Sequence, residues 1–365
     1  MSLDISQSVG KFIGRTMLMS KIRHPATFSG SRRKGSYFFV ALVLIIVVGA
    51  VITIEALRRF NSGTAAERRN TKSESAVNVK STSFPRQVRD GSGQPVTIDA
   101  APRRIVSQTL GTDEILLAIC SPHRIVGLGR FALDPKYSNV VAQARAAGTP
   151  VAHNTEEILQ LKPDLVFVAS YSRAEIVEQL QSAGARVFRL ADFDSIEDIK
   201  QNIRTIGQAT GDDERAEALV TQMELELDAI HARVSAVGNK RPRVMSYSPS
   251  GSTAGANTLF DEILRTAGAT NVVAENGIEG FRKISAEQVA DWQPDFIVVG
   301  ADANKFEETK QQLLANPAVA ATNAARAGRI IMIENRNLLT VSHNIVNLVR
   351  TLVEGLYADS SDKAK

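Results

Sequence analysis

Arg130 stands beside Phe131, and Tyr171 stands two residues before Arg173. A guanidinium makes forked, charge-assisted hydrogen bonds and an aromatic face stacks, so both pairs suit an anionic, planar or catecholate-like ligand. They follow the apolar runs Ile125–Leu128 and Asp164–Ala169, which read as strands. The stretch Ser107-Gln-Thr-Leu-Gly-Thr112 brings the Ser107 and Thr109 hydroxyls to a helix start, where free N–H groups can meet a ligand oxygen. The same residues equally suit plain helix capping by Thr112 or Asp113. A loop from Tyr247 to Gly255, with Ser250 inside it, follows another strand. It lacks the Gly-Lys-Ser/Thr ending of a phosphate loop, and Ser250 is not in a Gly-x-Ser-x-Gly elbow, so it reads as a flexible binding loop. Phe281-Arg282 and Ser342-His343 complete the candidate ligand contacts.

This chemistry is binding rather than catalysis. The five histidines form no tight pair and no His-Glu-x-x-His helix, and a bare-metal centre needs three or four converging ligands. His343 or a tyrosine is a candidate axial ligand for haem iron. With no nucleophile–base set, no catalytic residue, metal centre or resident cofactor is expected. The net charge of +4 conceals an asymmetry: residues 1–90 carry 15 Lys/Arg against 5 Asp/Glu, and residues 91–365 carry 28 against 34. The body is acidic, which argues against nucleic acid as a partner. A single cysteine, Cys120, permits no intrachain disulfide and reads as a core thiol at a helix end.

The elements that must position these residues begin with a membrane segment. Gly35 to Ile54 is 20 residues without a charge, about 30 Å as a helix, which matches the hydrocarbon core of a bilayer. Seven Lys/Arg precede it, from Lys11 to Lys34, opposed only by Asp4. That flank keeps the N-terminus in the cytoplasm and exports the rest. The nearest small-x-small site, Thr64-Ala65-Ala66, lies about ten residues too far for signal cleavage, so an uncleaved anchor is expected. The expected organisation is a basic cytoplasmic tail over 1–36, an anchor over 37–57, a solvated linker over 58–88, an N-terminal lobe over 89–210, an interlobe helix over 211–240 and a C-terminal lobe over 241–358.

Beyond Asp90 short apolar runs alternate with helical stretches, the pattern of parallel sheets in βα units. Asp194-Ser195-Ile-Glu-Asp198 opens a helix that Gly211 breaks, and a second helix runs from about Asp212 to Ala236. At about 37 Å it is long enough to brace two lobes. The halves repeat one another. Glu156–Val168 aligns with Glu287–Val299, Arg104–Ser107 with Arg243–Ser246, and Asp113-Glu-Ile-Leu116 recurs as Asp261-Glu-Ile-Leu264. The expected fold is therefore α/β: two similar lobes with mainly parallel sheets joined by one long helix, plus an N-terminal transmembrane helix. Ligands of such proteins sit in the cleft at the carboxyl ends of the strands.

In order and spacing these residues resemble the helix-linked (type III) periplasmic solute-binding proteins of iron-siderophore, cobalamin and haem ABC importers. The likeness rests on Asp90, Gly93, Val96 and Ile98, then Pro102 and Arg104–Ser107, then Leu161-x-Pro163-Asp164, the Gly207…Gly211 break and the long helix after it. It covers about 89 to 356, and the retained membrane helix is a departure. The resemblance implies capture of an iron-siderophore, corrinoid or haem-like ligand and its delivery to an ABC permease with its ATPase. It also implies a docking glutamate on each lobe, which matches Glu114 and, by the repeat, Glu262, both then on outer faces. An anchored ligand sensor or scaffold on the same fold is the alternative.

Overall fold

The structure is a computed structural model that describes residues 83–151, 154–238 and 240–358. The basic tail, the apolar run and most of the linker lie outside the described residues. Among the described residues no helix is long and apolar enough to cross a membrane.

A small hairpin opens the described chain. β1 (Arg86–Arg89) pairs antiparallel with β2 (Pro95–Ile98) around a turn in which the Asp90 carboxylate accepts from Ser92 N at 2.9 Å and Gln94 N at 3.0 Å. The strand starts inside the stretch expected to be linker, because Val88 is buried and Arg86 is tied to Gln208 O at 2.9 Å and Asp213 at 2.7 Å.

The first half supplies β3 (Ile105–Ser107), β4 (Ile125–Gly129), β5 (Thr149–Val151), β6 (Leu165–Val168) and β7 (Val187–Arg189). They form one parallel sheet in the order β5-β4-β3-β6-β7. The second half supplies β8 (Arg243–Ser246), β9 (Ser252–Ala254), β10 (Thr270–Asn271), β11 (Phe281–Lys283), β12 (Phe296–Ala301) and β13 (Ile330–Glu334). Of these, β10-β8-β12-β13 make a second parallel sheet, and β9 with β11 an antiparallel ribbon.

Successive strand residues face opposite sides of a sheet. Ile105, Leu165 and Phe167 therefore enter a core that continues along the long helix to Val244, Val298 and Ile333 of the second sheet. Their neighbours Val106, Val166 and Val168 fill a separate core on the far face, as do Met245, Ile297 and Val299 in the second half. Apolar residues at every position are thus required by burial on both faces, not by strand propensity.

The long helix is Asp213–Ala236, 24 residues, or about 36 Å. Its buried stripe Ala216, Val220, Met223, Leu227 and Ile230 recurs at three- and four-residue steps and faces the shared core. It packs against the last helix of each half, Ile196–Thr210 and Ile345–Leu356. The break before it is Gly211, whose φ of 81° lets the chain reverse without a Cβ clash. Cys120 is buried at the end of the helix Leu110–Ile119 and its thiol donates to Asp212 at 3.2 Å. Burial pushes its pKa up to about 12, as suits a core thiol.

The repeat in sequence is a repeat in bonding. Asp164 accepts from the backbone N of Arg103 at 2.7 Å and of Arg104 at 3.0 Å, while the Arg104 guanidinium holds Leu161 O at 2.6 Å. Asp295 accepts from Arg243 N at 2.9 Å, and Arg243 holds Trp292 O at 2.8 Å. Each clamp fixes the strand pair β3–β6 or β8–β12 at the end remote from the loops that carry the candidate ligand contacts.

Candidate functional site

The carboxyl end of β4 leads into a 3-10 turn, Arg130–Leu133. Arg130 is exposed there with no hydrogen-bond or ion-pair partner among the described residues. Phe131 is 37% exposed and meets Tyr137 edge-on, with centroids 5.5 Å apart and planes at 72°. After β6, Tyr171 is 66% exposed, and Arg173 is the exposed residue before the helix Ala174–Ser182. The expected cation–aromatic residues of the first half therefore stand exposed at the carboxyl ends of β4 and β6, the strands on either side of β3.

In the second half the ribbon β9–β11 rises from the carboxyl end of β8. All of β11 is exposed, with Phe281 at 51%. Arg282 donates only to its neighbour's carbonyl, Phe281 O, at 2.9 Å among the described residues. With Lys283, Glu279 and Gln288 it lines an open hollow of about 430 Å³. Ser250 lies in a chain of hydroxyls, 2.9 Å from Ser248 and 3.3 Å from Ser252.

Other candidates are occupied within the molecule. Tyr247 is only 6% exposed and packs in the core with Met245, Ile284 and Val289, so its ring supports the loop rather than facing solvent. Ser107 is fully buried, and its hydroxyl donates to Thr109 O at 3.3 Å. The Thr109 hydroxyl caps the helix Leu110–Ile119, accepting from Thr112 N at 3.4 Å and pairing with the Thr112 hydroxyl at 2.7 Å. Capping is thus what this loop does, with Thr109 itself as the cap. His343 is half-buried with Nδ1 enclosed and unbonded among the described residues, and burial lowers its pKa against the pull of Glu114 and Glu226.

Of the two repeat glutamates, Glu114 departs from the expected outer-face position. Glu114 is 1% exposed. Its Oε1 accepts from Asn139 N at 3.2 Å and Asn139 Nδ2 at 3.4 Å, both in its own half. Its Oε2 accepts from Thr340 Oγ1 and Asn344 Nδ2, each at 3.0 Å, and from Ser342 Oγ, all in the other half. Glu262 is half-buried, and its Oε2 accepts from Ile196 N at 2.9 Å, again across the halves. At Glu114 both oxygens are already filled with internal donors, which leaves no lone pair for a docking arginine. Asp113, next to Glu114, is buried, and desolvation pushes its pKa up to about 8 against the hydrogen bonds from Ser107 and Gly129 N. Nearby, Lys136 Nζ reaches Asp302 at 3.6 Å and Asn139 Nδ2 reaches Arg336 O at 3.0 Å, two further contacts between the halves.

Sequence reasoning missed Asn139, Thr340 and Asn344 as partners. They lie 25, 226 and 230 residues from Glu114, beyond any local spacing rule.

The family described as periplasmic binding protein matches residues 105–336, from β3 to just past β13. This chain belongs to that family. Among its relatives is the cobalamin-binding protein of Halobacterium salinarum, 28% identical over 268 residues, 72% of each chain. A substrate-binding lipoprotein of an ABC transporter in Bacillus subtilis is 25% identical over 320 residues, 86% of this chain and 97% of that one. Among solved structures, the periplasmic haem-binding protein of Roseiflexus sp. RS-1 superposes with a TM-score of 0.60 at 28% identity, over 69% of this chain and 98% of that one. In this binding protein the matched span takes in both parallel sheets, the ribbon and the long helix between the halves.

Proposed function

We propose that this chain is the solute-binding component of an ABC importer, and that it captures an iron-siderophore, corrinoid or haem-like ligand between its lobes and passes it to a permease. The observation that carries this reading is the set of exposed cation and aromatic side chains, Arg130–Phe131 and Tyr171–Arg173 after strands of one half and Phe281–Arg282 on the ribbon of the other. Bulky anionic chelates and corrinoids offer both the oxygens and the apolar faces such pairs bind. The printed roles of the cobalamin- and haem-binding relatives support the same ligand class. The uncharged run at 35–54 would hold the protein at the outer face of the cytoplasmic membrane, close to its permease.

The test is titration of the purified full-length protein with cyanocobalamin, haemin and a ferric hydroxamate. One of the three should bind with saturable affinity. Arg130→Ala and Arg282→Ala should each weaken that binding roughly ten- to a hundredfold, as loss of a charge-assisted hydrogen bond does. Absence of binding by all three, or unchanged affinity in both variants, would overturn the reading.

A further inference from the structure

The hydrogen bonds of Glu114 and Glu262 form one exchange made in both directions. Glu114 stands in the helix Leu110–Ile119 of the first half and meets Asn344, the residue that precedes the last helix of the second half, Ile345–Leu356. Glu262 stands in the helix Leu259–Thr266 of the second half and meets the N–H of Ile196, the residue that starts the last helix of the first half, Ile196–Thr210. Both glutamates come from the repeated Asp-Glu-Ile-Leu, and both last helices pack on the long helix.

We infer that Glu114 and Glu262 are paired positioning residues, each fixing its own half onto the start of the other half's last helix, and that together they set the angle between the lobes. The inference rests on the capture reading above, because that angle fixes how far apart the two sets of ligand contacts stand. At Glu262 the donor is a helix's first N–H, which lacks an internal partner and favours an anionic acceptor, whereas at Glu114 the donors from the other half are side chains. At Glu114 one carboxylate oxygen takes donors from its own half and the other takes donors from the opposite half. As placed, a carboxylate oxygen accepts from each of these two sets at once. A glutamine has one oxygen and must turn its NH2 towards Asn139 N or towards Asn344 Nδ2, so it loses at least one of the present bonds and weakens the bridge. At Glu262 a single bond to Ile196 N does the work, so alanine is the variant that removes it.

The experiment places spin labels on Gln181→Cys and Gln311→Cys, exposed positions one in each half, in the full-length protein without ligand. The native cysteine is buried and takes no label. The parent should give one narrow distance peak. Glu262→Ala should broaden or shift it, Glu114→Gln more so, and the double variant most. Where Glu114→Gln does not fold, as read by circular dichroism, Glu262→Ala and Asn344→Ala carry the test. A lowered melting temperature with the parent's peak unchanged would assign both glutamates to helix stability alone and overturn the inference, as would an unchanged peak in a fully stable variant. The distance result needs no ligand. Failure of all three probes to bind would therefore remove the capture reading and leave the lobe-positioning result to stand or fall by itself.

Discussion

Asp113 is a carboxyl group that the fold holds where water cannot stabilise its charge. Its pKa rises from 3.8 to about 8, chiefly by burial and with a smaller push from Glu114. The sign of the consequence follows from proton binding. As pH climbs from about 4 to about 8 the unfolded chain releases this proton while the folded chain keeps it. The stabilising contribution is complete below the unfolded pKa and is lost as pH rises through the folded one. Asp113→Asn keeps an oxygen to accept from Gly129 N, which lies 3.2 Å from Oδ2 and 3.4 Å from Oδ1, and has no proton to lose. Relative to the parent, its urea midpoint should gain steadily between pH 4 and 8 and level off above. A constant difference across that range would show that Asp113 titrates normally in the fold. Glu114, one position on, teaches a related lesson. An acidic residue near a helix start reads as a dipole partner or a surface contact, and only its donors reveal a bridge.

At the scale of elements, the packing of the helix Ile196–Thr210 on the long helix Asp213–Ala236 depends on Gly207. A Cβ at that position would stand 2.4 Å from the Cβ of Ala216. The helices have little freedom to separate, because Ile199, Ile203 and Ile206 of one and Val220 and Met223 of the other are buried in the same core. Alanine gains up to about 1 kcal/mol of helix propensity over glycine, but overpacking costs about 1–3 kcal/mol. Gly207→Ala should therefore lower the urea midpoint, and adding Ala216→Gly should restore most of the loss. A stabilised single variant would mean that the helix pair adapts freely. Caps were more readable than this close approach: Ser195 accepts from Asp198 N at 3.0 Å, as Asp194-Ser195-Ile-Glu-Asp198 implies. Contacts between helices leave no such local mark, and Gly207 reads along the chain only as part of a helix break.

For the whole molecule the question is where the chain sits. The uncharged run from 35 to 54, with its basic flank ahead of it, gives a definite expectation. The intact protein should sediment with membranes, and a reporter active only outside the cytoplasm should work when fused beyond residue 60. Recovery of a soluble mature form starting near Glu67 would show a cleaved signal instead. Anchored or free, the halves are joined by a core that runs from the first sheet through the long helix to the second, so they share a back and differ at their loop faces.

The sequence by itself determined the two-half α/β plan. Strand runs, helix periods and the repeated Pro-Asp and Asp-Glu-Ile-Leu segments are local patterns, and each survives as a strand, a helix or a clamp. It also placed Arg130, Phe131, Tyr171 and Arg173 just after strands, because a strand's end is set by where its apolar run stops, while the ribbon that carries Arg282 appeared only in the fold. Tertiary structure decided what neither composition nor spacing carries. Tyr247 turns into a core, and Thr109 rather than Thr112 caps its helix. Glu114 bridges to residues more than 220 positions away. Whether a polar side chain meets water or its own chain depends on which distant segment the packing brings beside it, and burial then makes that partner obligatory.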